Sequence, residues 1–103
     1  MKKCQLVLQW DARSIQDFDA IVELENQLSE IMPKNSEVDG HDAGSGQMNI
    51  FIFTDAPRKI FDLAKPVLKE ANRLATVRVA YREASEDQYT VLHPTDLADF
   101  KVT

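Results

Sequence analysis

The chain has 103 residues, with 12 Lys and Arg against 17 Asp and Glu, a net charge of −5, and 44% hydrophobic residues. That length suits a single domain, residues 1–103, whose modest core needs no cross-links, and the hydrophobic content excludes disorder. The apolar runs are far too short for a membrane span, and net acidity disfavours unaided binding to nucleic acid or anionic membranes.

At the N-terminus, Gln5, Gln9 and Asp11 interrupt the apolar run and no small-residue cleavage site follows, so the reading is cytoplasmic. Residues 3–10 alternate, with Cys4, Leu6, Leu8 and Trp10 on one face of a strand and Gln5, Val7 and Gln9 on the other. The lone Cys4 lacks a disulfide partner in the chain and suits a small core position. Ser14 is placed to cap a helix, Asp17 follows three residues on, and Phe18, Ile21, Leu24, Leu28 and Ile31 recur at helical spacing until Pro33. Residues 36–42 read as a short polar strand ahead of a glycine loop, and 47–54 as a strong strand with Ile50 and Ile52 opposite Phe51 and Phe53. All three glycines, Gly40, Gly44 and Gly46, fall in this hairpin, marking a specific reversal of the chain.

Thr54 or Asp55 is the expected cap of a second helix with Pro57 in its first turn, and Pro66 inside it predicts a kink. TVRVAYRE reads as a fourth strand, and YTVLHP resembles a short fifth. The resulting α+β fold is a ferredoxin-like βαββαβ sandwich, with an antiparallel sheet in the order 4-1-3-2, two helices on one face and a possible C-terminal fifth strand. The face without helices carries apolar side chains, which predicts cover by the C-terminal segment or by a second copy in a homodimer.

Charge is segregated: residues 11–42 hold nine acids and two bases, whereas 57–82 hold seven bases and two acids. Two oppositely charged helices side by side, or an acidic docking face, would each account for this. Asp39, His41 and Asp42 are the one cluster with metal-ligand or general-base chemistry, with Asn49 as a positioning donor. Adjacent Asp and His are also ordinary turn residues, so no metal and no cofactor are assigned. Gly44, Ser45 and Gly46 resemble an anion-binding loop, but the lysine and following helix of a phosphate loop are missing, and Ser45 has no assignable base. Arg78 and Arg82 share one face of the fourth strand, with Arg73 in the preceding turn, and would clamp an acidic group; Tyr81 and Tyr89 are expected to flank the same edge. His93 is expected to end a strand.

The stretch GHDAGSGQMNIFIFTDAP, with VRVAYRE and YTVLHP, resembles a group of short uncharacterised bacterial proteins. The resemblance implies a small cytoplasmic bacterial protein and carries no activity. The leading expectation is a non-enzymatic protein-interaction module, a homodimer that acts as an acidic neutraliser of a basic partner. The alternative is a small enzyme or ligand-binding protein built on Asp39, His41 and Asp42.

Overall fold

A computed structural model describes residues 4–12, 14–44, 46–97, 100 and 102. The elements are β1 (Cys4–Asp11), α1 (Ile15–Ile31), β2 (Ser36–Gly44), β3 (Gln47–Thr54), α2 (Pro57–Glu70), β4 (Arg78–Glu83) and β5 (Thr90–His93). They form one antiparallel sheet in the order β2-β3-β1-β4-β5. The fifth strand joins beyond β4, so the sheet's edges are β2 and β5.

Both helices pack on the same sheet face. Leu6, Leu8 and Trp10 of β1 meet Ile50 and Ile52 of β3, Val79 of β4, Ile21, Leu24 and Leu28 of α1, and Ile60, Ala64 and Leu68 of α2 in one buried cluster. Each large aliphatic group closed off in this way contributes about 2 kcal/mol. The indole N–H of Trp10 donates to the Arg73 carbonyl at 3.0 Å, so this large side chain keeps its polar atom satisfied inside the core. Ser14 caps α1, its hydroxyl accepting from the Asp17 amide at 3.1 Å.

Two expectations are corrected. Neither Thr54 nor Asp55 caps α2: the N-cap is Ala56, without a side-chain cap bond, while the Thr54 hydroxyl accepts from the Ala56 amide at 3.0 Å. The β2 strand runs to Gly44, two residues beyond expectation, which reduces the glycine loop to a two-residue reversal between Gly44 and Gln47. Gly46 takes φ 77° there, as tight hairpin turns require. Within β2, Gly40 at φ 136° follows a bulge at Asp39, so glycine serves the bulge as well as the turn.

On the helix-free face, Val7, Ala80 and Phe51 pack against Phe100, with Tyr89, Val91, Leu97 and Val102 around them. This is one of the two covers expected from sequence: the chain's own C-terminal segment closes the apolar middle of the sheet. Among the described residues, no helix is long and apolar enough to cross a membrane.

Candidate functional site

Strand alternation decides what the Asp39–Asp42 cluster can do. His41 pairs with Ile50 and shares the helix-facing side of the sheet, whereas Asp42 pairs with Asn49 on the helix-free side. Asp39 occupies the bulge and is exposed. Among the described residues, no three His, Cys, Asp or Glu side chains gather into a metal-binding group. Adjacency in sequence is therefore separation in space, and the three do not make one site.

The helix-free face instead assembles a polar row from four strands. Asp42 lies opposite Asn49, Asn49 opposite Gln9, and Gln9 opposite Arg78. Gln9 and Asn49 are only 2% and 1% exposed, so their amides depend on partners within the protein. The Arg78 Nε donates to Gln9 Oε1 at 2.7 Å, and Gln9 Nε2 donates to Asn49 Oδ1 at 3.0 Å and to Gln47 Oε1 at 3.3 Å. A second Arg78 nitrogen, Nη2, reaches Asp11 at 2.9 Å. The Asn49 Nδ2 is buried and has no hydrogen-bond partner among the described residues. Asn49 and Asp42, singled out together in the sequence, and Arg78, singled out for another role, thus meet in one row, and Gln9, not singled out, is its middle. The clue to Gln9 was a glutamine flanked by the core residues Leu8 and Trp10.

His41 has a different partner. Its Nδ1 lies 2.9 Å from Glu25 Oε1 on α1, and the Phe18 ring meets the imidazole edge-on at a centroid distance of 5.6 Å. Phe18 and Glu25 are seven residues apart, two helical turns, which places both on the stripe of α1 above β2. Beside them a hollow of about 580 Å³ opens between Ser14 and Phe18 of α1 and Gly44, Gly46 and Met48 at the hairpin end. Ser45 lies outside the described residues.

The outward stripe of α1 is acidic. Asp19, Glu23 and Glu30 are exposed at steps of four and seven, and none makes an ion pair with a described residue. Among the described residues no ion pair joins α1 to α2, so the picture of two helices neutralising each other is not what forms. The bases of α2 are used otherwise: Lys65 pairs with Asp62 and lies over the Phe61 ring, and Arg58 lies over Tyr81.

Arg82 is a fastener of its own turn. Its Nη1 donates to the carbonyls of Glu83, Ala84 and Glu86, at 2.9 Å for the last, and its Nε to Gln5 Oε1 at 3.2 Å. Tyr81 and Tyr89 do not flank one edge: Tyr81 packs on the helix side and Tyr89 against Phe100 on the other. His93 ends β5 and packs on Phe61. No protein-family model, curated protein or solved structure matches the chain.

Proposed function

We propose that the chain is a non-enzymatic protein-interaction module, ferredoxin-like with an added edge strand, that binds a basic partner protein in the bacterial cytoplasm through α1 and the neighbouring edge strand β2. The observation that carries this reading is the unneutralised stripe of Asp19, Glu23 and Glu30, continued by exposed Asp39 and Asp42 on β2. Exposed like charges with no local counter-charge repel one another, and a cationic surface relieves that repulsion while speeding encounter. A homodimer through the helix-free sheet face loses its motive, because Leu97, Phe100 and Val102 of the same chain already pack there.

Glu25 takes no part in the docking stripe, since its carboxylate is engaged by His41. The test is therefore affinity capture from native lysate with the wild type and with a variant carrying Asp19→Lys, Glu23→Lys and Glu30→Lys. The reading expects a basic protein retained by the wild type and lost from the variant. Equal retention by both removes its support.

A second reading has one observation in its favour: Glu25 orients the His41 imidazole, as a carboxylate orients a general base. Asn49, its proposed helper, lies on the opposite sheet face. An activity found for the protein and unchanged by His41→Ala would end this reading.

A further inference from the structure

Three residues of β2 share the helix-free face at alternate positions: Gly40, Asp42 and Gly44. A Cβ built on either glycine would meet nothing within 4 Å. Gly40 answers to the bulge through its φ of 136°, but Gly44 has no positive φ to require glycine. The two bare positions leave Asp42 standing between gaps on an edge strand, and such gaps admit the close approach of another backbone.

The floor beside these gaps is β3, where Asn49 faces Asp42. Gln9 Nε2 donates to Asn49 Oδ1, so the amide oxygen faces β1 and the NH2 group on the same carbon is turned away from that bond. That NH2 is buried and has no hydrogen-bond partner among the described residues, on a residue 1% exposed. Donation runs in one direction along the row, from Arg78 to Gln9 to Asn49, and no described residue accepts from Asn49 Nδ2. A buried donor left unmade is destabilising, whereas an apolar side chain in its place would not be.

We propose that Asp42 and Asn49, with Gly40 and Gly44 beside them, form a subsite for a peptide group of an extended partner segment. The partner's carbonyl accepts from Asn49 Nδ2, and its N–H donates to the Asp42 carboxylate. Neighbouring charge selects this chemistry. A carboxylate or phosphate would satisfy Asn49 but is repelled by Asp42; an ammonium group would satisfy Asp42 but offers Asn49 no acceptor. A peptide group supplies both. Asn49 Nδ2 is buried, so entry of the partner segment requires the side chains around it to shift.

This subsite deepens the interaction reading by naming a second contact with the partner, and it is tested without that partner. The probe is N-acetyl-triglycine amide, which carries peptide groups and no charge, followed through the side-chain amide resonances of Asn49 in 15N-labelled protein. The expected result is a saturable shift of those resonances, absent with sodium acetate. Gly44→Val, at a position whose backbone tolerates a side chain, and Asp42→Ala, at an exposed position, each weaken the response about tenfold. No saturable shift, or a Gly44→Val protein that responds as the wild type does, overturns the proposal. A stripe variant of α1 that loses the basic partner but keeps the peptide shift refers that loss to the acidic stripe, so the two readings stand or fall separately.

Discussion

Glu25 on α1 and His41 on β2 meet at 2.9 Å, joining the first helix to the edge of the sheet through two side chains that are 14% and 31% exposed. The Glu25 Oε2 atom beside this contact is buried and has no hydrogen-bond partner among the described residues. The two members of the pair are therefore not equivalent. Removing His41 strands a carboxylate that has lost its only bonded oxygen, whereas removing Glu25 leaves an imidazole with access to water. His41→Ala is expected to cost about 1 kcal/mol and Glu25→Ala less, with the double variant close to Glu25→Ala because it leaves no stranded carboxylate. Urea unfolding of the three variants checks the order, and a larger loss for Glu25→Ala would contradict it.

The polar row makes a stronger claim on Gln9. Truncation to Ala removes the acceptor of Arg78 Nε and the donor to Asn49 Oδ1 together. Asn49 is too buried to recover water, so the expected loss is about 2–3 kcal/mol. Arg78→Ala is expected to cost about 1 kcal/mol, since the guanidinium end of the row is partly solvated. Denaturant midpoints measured side by side distinguish a cooperative row from two unconnected contacts.

The glycines divide by backbone angle. Gly46→Ala places a side chain at φ 77° and Gly40→Ala at φ 136°, so each is expected to destabilise by about 1 kcal/mol or more. Gly44→Ala has ordinary φ and open space around the added carbon, and is expected to stay within about 0.5 kcal/mol of the wild type. Thermal unfolding of the three variants tests this split. A large loss at Gly44 would show that its glycine serves the fold instead of an approaching ligand.

Phe100 closes the helix-free face over Val7 and Ala80 and is 8% exposed. Its replacement by Ala is expected to cost about 2–3 kcal/mol and to expose the apolar middle of the sheet, which promotes self-association. Calorimetry and light scattering on the variant read both effects. An unchanged melting temperature would mean that the C-terminal segment does not shield the sheet.

The architecture was legible wherever alternation or helical spacing was strong: β1, α1 and β3 follow from Leu6, Leu8 and Trp10, from Ile21, Leu24 and Leu28, and from Ile50 and Ile52. The hairpin was legible but its far end was not, because three glycines among polar residues look like a loop, although alternation through Gly40, Asp42 and Gly44 lets β2 continue to its end. The site was legible in pieces. Arg78, Asn49 and Asp42 drew attention by residue type, but register alone brings them into one row. Glu25 was hidden because a single carboxylate in an acidic helix looks like its neighbours until the strand beneath it is known.

The measurement that bears most directly on the central claim is the association rate between this protein and the basic protein it retains, followed as salt is raised. A docking face built from Asp19, Glu23 and Glu30 predicts a rate that falls steeply with ionic strength in the wild type and a slower, nearly salt-independent rate in the triple lysine variant. A wild-type rate indifferent to salt, or a variant that associates as fast, would contradict it.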